Sequence, residues 1–143
     1  MKRMVVLRGL PGSGKSHIAN TLAKNLGYII CSADYYWIEN GEYKFDLNKL
    51  RNAHDFCYNM AKALVSQEKN IIIDNTNTTK QEYGKYTDLA FFNKYDIMIE
   101  IANFDGKAFD EKTKQWNVNF LYENNVHKVP LGTLGKMAKR FEW

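Results

Sequence analysis

Short runs of consecutive apolar residues alternate along the chain with longer stretches in which apolar positions recur every three or four residues. Met4–Leu7 (MVVL), Tyr28–Cys31 (YIIC), Asn70–Asp74 (NIIID) and Asp96–Ile101 (DIMIEI) are runs of the first kind, the pattern of strands buried on both faces. Ile18, Leu22 and Leu26, with Ala19 and Ala23 beside them, predict a helix that Gly27 ends. Leu50, His54, Cys57, Ala61 and Leu64 keep to one helical face and predict a long amphipathic helix from about Leu47 to Ser66. Thr79 followed by Glu82 has the form of a capping box, opening a helix that runs to about Asn93. The polar stretch from Gly106 to Val126 is expected to be helical. Pro130 then precedes Leu131, Leu134, Met137, Ala138 and Phe141, which predicts a last amphipathic helix with proline in its first turn.

Strands alternating with helices imply a parallel sheet covered on both faces, and such sheets bind ligands beyond the carboxyl ends of their strands. No repeat, low-complexity tract or linker interrupts the pattern, so the 143 residues read as a single domain over 1–143. At 45% hydrophobic and 25% charged, the composition is that of an ordinary soluble globular chain. No apolar run approaches the roughly 18 residues of a membrane span, and Met4–Leu7 is too short for a signal segment. The expectation is a cytoplasmic protein with no membrane partner. Cys31 and Cys57 lack metal-ligand spacing and pair with none of His17, His54 and His127, so they read as buried thiols and no structural metal is expected. A net charge of +4 suits a phosphate-rich partner without requiring one. Arginine is confined to Arg3, Arg8, Arg51 and Arg140.

The first run leads into RGLPGSGKSH, Arg8 to His17. Gly9, Gly14, Lys15 and Ser16 satisfy G-x-x-x-x-G-K-[ST], and the loop stands between a predicted strand and a predicted helix, as a phosphate-cradling loop must. Gly9, Pro11, Gly12, Ser13, Gly14, Lys15, Ser16 and His17 would bind the nucleotide, Gly12 and Gly14 letting the backbone turn so that its N–H groups face the phosphates, helped by the helix N-terminus. Lys15 would reach the β- and γ-phosphates, and the Ser16 hydroxyl would lie on Mg2+. ATP, or another NTP, with Mg2+ is the expected ligand.

The remaining acids bear on where the terminal phosphate goes. Asp74 ends the third run, the usual place for a carboxylate that holds Mg2+ directly or through its water. Asn75 follows it, where motion-driving ATPases commonly carry a glutamate that polarises water, and this disfavours hydrolysis. Asp34, in CSADYYW after the second run, would project toward the same crevice. It either accepts the proton of an acceptor hydroxyl or caps the next segment as a turn aspartate. With the phosphate loop and Asp74 present, transfer to a hydroxyl is the better account.

GLPGSGKS, SADYY, Ala53-His54 with Cys57, IIIDNTNT and NVHKVP occur in this order. Together they resemble the small P-loop kinases grouped with the polynucleotide 5′-hydroxyl kinases and their AAA-like ATP-binding relatives, over nearly the whole chain. The resemblance implies an α/β P-loop kinase fold, a three-layer sandwich. Its four-stranded parallel sheet would have order 2-3-1-4, with helices on both faces and a helical lid over about residues 106–129. It implies Lys15 and Ser16 on ATP and Mg2+, Asp34 as general base, and Asp74 on the metal or the acceptor. Two positions depart from the group. Trp37 stands where many members carry an arginine that clamps an acceptor phosphate. Asn124 stands where the lid usually offers an arginine, leaving Lys112, Lys114 and Lys128 as the nearby cations.

Other residues keep two readings each. His54 is a core histidine bonded to the Asn75–Asn77 loop, or a catalytic one. Asn75, Thr76 and Asn77 bind the acceptor or make the turn into the next helix. Tyr35, Tyr36 and Trp37 stack on a nucleobase or pack beneath the lid. Lys136, Lys139 and Arg140 form a solvated face, with nucleic-acid contact as the alternative. The function expected is ATP-dependent transfer to a hydroxyl, foremost the 5′-OH of RNA or DNA. The alternatives are a kinase of a nucleoside, modified base or small metabolite, and a weakly catalytic nucleotide-binding module acting through a partner.

Overall fold

A computed structural model describes residues 2–143. The four apolar runs form β1 (Arg3–Arg8), β2 (Ile29–Cys31), β5 (Ile71–Asp74) and β6 (Asp96–Ile101). They make one parallel sheet in the order β2-β5-β1-β6. Counted among themselves these are strands 2-3-1-4, the order expected. Register pairs Met4 with Ile71, Val5 with Ile72 and Val6 with Ile73, so side chains of one parity share a face. Val5, Leu7 and Ile72 pack under α1 (Lys15–Leu26), with Ala19, Ile18 and Leu22. Met4, Val6, Cys31, Ile71 and Ile73 pack against α2 (Leu50–Ser66) and α3 (Lys80–Phe92). Each fully buried aliphatic side chain of this kind contributes about 1.5–3 kcal/mol, so β1 and β5 anchor the core.

The helix boundaries follow local chemistry. Gly27 closes α1 in the left-handed conformation, its N–H donating to the Ala23 carbonyl. Thr79 caps α3 through Glu82 N–H, but the Glu82 carboxylate reaches Thr78 N–H (3.0 Å) rather than Thr79, so the box is displaced by one residue. The buried stripe of α2 is Ala53, Cys57, Ala61 and Val65, which leaves Leu50 exposed and His54 half-buried at its edge.

Two β-hairpins stand at the sheet's carboxyl edge. The first, β3 (Ile38–Glu39) and β4 (Glu42–Tyr43), turns at Asn40-Gly41, both in the left-handed region. The second corrects the expectation of a helix over 106–126. That stretch holds β7 (Phe109–Asp110) paired with β8 (Gln115–Trp116), and only then the short α4 (Val118–Asn124). Asp110 makes the hairpin turn, its Oδ1 accepting from Lys112 N–H (2.8 Å) and Thr113 N–H (3.1 Å). Trp116 and Phe109 pack against Leu10, Leu121 and Phe141, and so fasten the hairpin and α4 to α5 (Leu131–Arg140), which Pro130 caps. The segment expected to form a lid is therefore part hairpin and part helix, sharing a small core with the phosphate loop's Leu10.

Candidate active site

The loop between β1 and α1 is held at several points. Gly9 N–H donates to the Thr76 carbonyl (3.0 Å), Ser13 N–H to Leu10 (3.1 Å), and Phe104 N–H to Ser13 (2.9 Å). Pro11 is half-buried, and Ser13 is fully buried with an unpartnered hydroxyl. Gly12 has φ +89° and a Cβ there would lie 2.6 Å from the Leu121 carbonyl oxygen of α4; Gly14 has φ +103° and its Cβ would lie 2.9 Å from Phe104 Cβ. Only glycine allows both the turn and the close approach. Gly14 caps α1 without a side-chain bond, so the first-turn N–H groups of Lys15, Ser16 and His17 are open to an anion. Ser16 and His17 are exposed, with His17 edge-on to Phe104 at 5.7 Å. This cradle, with Lys15 at its rim, fits a polyphosphate.

Lys15 Nζ donates to the Leu10 carbonyl (3.3 Å). Burial lowers its pKa, opposed by the charges of Asp74 and Asp34. Burial raises the pKa of Asp74 at the end of β5, opposed by Lys15 and reinforced by Asp34. The three groups expected to act together thus lie within one another's fields at a single edge of the sheet. Ser16 and Asp74 are suitable oxygen ligands for Mg2+, directly or through water.

Asp34 sits on a 3-10 turn (Ala33–Trp37) positioned from two sides. Ser32 Oγ accepts from Asp34 N–H (3.2 Å), and Asn75 Oδ1 accepts from Ala33 N–H (2.9 Å). Its side chain is 53% exposed. Tyr43 Oη donates to Asp34 Oδ1 (3.3 Å), and His127 Nε2 lies 3.7 Å from Oδ2. The Tyr43 and His127 rings are stacked, 3.9 Å apart and 14° from parallel.

Several expected site residues are placed elsewhere. Trp37 is only 4% exposed and packs on Phe45 and Tyr36, so the stacking role expected of it is corrected to core packing; Tyr35, 40% exposed, keeps an open face. Asn75 and Asn77 are buried and spend their amides on the scaffold, Asn75 on Ala33 and Cys57 and Asn77 on the Leu7 carbonyl (2.8 Å). Their expected acceptor contacts are corrected to structural ones, because a buried amide takes the nearest backbone partner. His54 makes no hydrogen bond to the Asn75–Asn77 loop among the described residues, and burial lowers its pKa. In the lid, Asn124 folds back onto the Phe120 carbonyl (2.8 Å), Lys128 is exposed in the left-handed region, and Lys114 lies over Trp143.

Neither nearby arginine faces the crevice. Arg140 bonds Thr78 Oγ1 (3.1 Å), and Arg8, 3% exposed, is a buried clamp. Arg8 donates to the carbonyls of Asn77 (2.8 Å), Thr78 (3.2 Å) and Glu142, with its guanidinium between the rings of Tyr83 and Phe141. The sequence reading missed Tyr43, though the Asn40-Gly41 pair signals the hairpin that delivers it.

The AAA domain family profile matches residues 4–143. The chain is 35% identical to human NEDD4-binding protein 2 over 97% of its own length, but spans 8% of that protein. It is 24% identical to the bifunctional polynucleotide phosphatase/kinase of Schizosaccharomyces pombe over 99% of its length, and spans 30% of that one. A chain in the structure of the Pnkp1/Rnl/Hen1 RNA repair complex superposes with a TM-score of 0.71 at 17% identity, covering 97% of this chain and 43% of that one, a likeness of fold. Among the described residues no helix is long and apolar enough to cross a membrane.

Proposed function

The chain belongs to the AAA-domain family of P-loop kinases, and from that premise we propose that it moves the γ-phosphate of ATP, or another NTP, to an alcohol, foremost the 5′-OH of an RNA or DNA end. The observation that carries the reading is the meeting of Lys15, Asp74 and Asp34 beyond the ends of β1, β5 and β2, with Asp34 alone of the two acids open to an acceptor. The acceptor oxygen forms a bond to the γ-phosphorus while the bond from that phosphorus to the bridging oxygen breaks and ADP leaves. Asp34 takes the acceptor's proton. Lys15 and the loop N–H groups bear the negative charge of the triphosphate. Mg2+, held by Ser16 and Asp74, would add charge neutralisation.

Incubation with γ-labelled ATP, Mg2+ and a panel of 5′-OH oligonucleotides, nucleosides and small alcohols tests the reading. Label should pass to oligonucleotides, and Asp34→Asn should abolish transfer while sparing ATP affinity. ATP binding with no labelled product from any acceptor would refute a kinase.

A second reading, a kinase of small acceptors, draws support from burial of Trp37. The position expected to hold a phosphate clamp is sealed in the core, so no guanidinium there grips a polynucleotide. Label confined to nucleosides or small alcohols would select it.

A further inference from the structure

Asp34 has a neighbour at each oxygen, a hydrogen bond at Oδ1 and a looser 3.7 Å approach at Oδ2, although it is more than half exposed. The partners come from separate segments: Tyr43 from the first hairpin, and His127 from the lid between α4 and α5. Burial, and then the charge of Asp34, hold the Tyr43 phenol above its ordinary pKa, so its hydroxyl stays a donor to Oδ1. His127 lies flat on the Tyr43 ring, which places Nε2 toward Oδ2 at the looser distance of 3.7 Å.

We propose that Tyr43 and His127 are positioning residues that cap Asp34 while no acceptor is bound, so that water is not activated in the acceptor's place. The cap rests on the assignment of Asp34 as general base. A carboxylate beside a bound triphosphate is as able to take a proton from water as from an alcohol. Such a water would lose its proton to Asp34, bond to the γ-phosphorus and release ADP, leaving inorganic phosphate. Holding the oxygens of this half-exposed carboxylate, rather than shutting solvent out, is what would keep water from using it as a base. The two contacts divide the work. Tyr43 orients the carboxylate through Oδ1, and His127 covers Oδ2, the oxygen that the acceptor hydroxyl takes when it displaces the imidazole. A 3.7 Å contact between two exposed side chains is weak, so a bound hydroxyl can replace it, whereas a diffusing water gains no binding from the rest of an acceptor.

The test needs no acceptor. ATP hydrolysis by the full chain with Mg2+ alone is compared among wild type, His127→Ala, His127→Gln and Tyr43→Phe. His127→Ala should raise hydrolysis by about tenfold, below the roughly 10²–10⁴ that a fully positioned base supplies, because a free water is not held in place. His127→Gln, which returns an N–H donor, should bring hydrolysis back toward wild type. Tyr43→Phe keeps the stack and should show a smaller rise. Adding Asp34→Asn to His127→Ala should remove the gain. Amide hydrogen exchange over residues 125–129 should quicken in Asp34→Asn, because the lid loses its anchor. Hydrolysis unchanged in His127→Ala, or raised equally in the Asp34→Asn double variant, would overturn the cap. Failure to label any acceptor would instead strike the kinase reading, whatever hydrolysis showed.

Discussion

Arg8→Ala removes the one side chain that ties β1, the Asn77–Thr78 segment and the C-terminal residues together. Its guanidinium serves three carbonyls, on Asn77, Thr78 and Glu142, and lies between two rings at 4.6 and 4.5 Å. Asn77 is buried, so its carbonyl gains no water when the donor leaves, whereas the Thr78 carbonyl keeps Glu142 N–H (2.7 Å) and Glu142 itself is exposed. The one stranded carbonyl costs about 1–3 kcal/mol, and each ring contact is worth about 0.5–2 kcal/mol. Against this stands relief of the guanidinium's own desolvation, the cause that lowers its pKa. The net loss should be about 2–4 kcal/mol. For a chain of this size that lowers the melting temperature by about 5–15 °C. Thermal and urea unfolding followed by circular dichroism measure it, with Arg8→Lys as the control. Lysine keeps the charge but not the planar fork, so it should recover less than half of the loss. A loss below about 1 kcal/mol for alanine, or full recovery by lysine, would refute the clamp.

Three further outcomes follow from the site. Lys15→Met removes the charge that opposes burial of Asp74, so the Asp74 pKa should rise further; its stabilising contribution is then full below the unfolded value of about 3.9 and is lost as pH rises through the folded one. The variant should therefore fall below wild type in stability as pH rises above about 4, and lose phosphoryl transfer, and melting curves that stay parallel through that rise would count against the coupling. Gly12→Ala forces a Cβ to 2.6 Å from the Leu121 carbonyl at φ +89°, which costs about 1–2 kcal/mol in backbone conformation before α4 is displaced. Fluorescent-nucleotide titration should show weaker binding, and unchanged affinity would mean that the lid does not rest on the loop. Asn124→Arg puts a guanidinium on the last residue of α4, next in sequence to Asn125, which with Leu121 overlies Gly12, and single-turnover transfer should rise by about tenfold or more, toward the roughly 10³–10⁵ of an arginine finger. An unchanged rate would show that the lysines already supply that charge.

The sheet was legible because central strands must be apolar throughout, as the buried β1 and β5 are; β6 kept enough of the pattern to be read although its Met98 and Ile99 are each 47% exposed. The phosphate loop was legible because its chemistry is backbone turning, which glycine positions record directly. The lid was not, because its structure is made by contacts distant in sequence. Phe109 and Trp116 pair across a hairpin, and Phe141 and Trp143 close over them. A polar string such as Asp110–Gln115 has helical propensity until the Asp110 turn and those aromatics override it. Trp37 misled for a related reason. Adjacent aromatics beside an acid look alike in sequence, yet the 3-10 turn sends Tyr35 outward and Trp37 into the core.

The residue after Asp74 joins these strands of argument. A glutamate there would present a carboxylate to water, but Asn75 is buried and its Oδ1 accepts from Ala33 N–H, the residue before Asp34. An ionised glutamate at that depth would bring a desolvated charge beside Asp74, whose carboxyl burial already disfavours. A neutral amide makes the same bond without that charge and adds a second contact to Cys57. The position that polarises water in a hydrolytic site is thus given over to bracing the turn that carries Asp34, the proposed base, which follows β2 and is 53% exposed. Placed there, Asp34 meets a group arriving from outside the crevice, which suits an alcohol carried in by its own binding energy better than a single water.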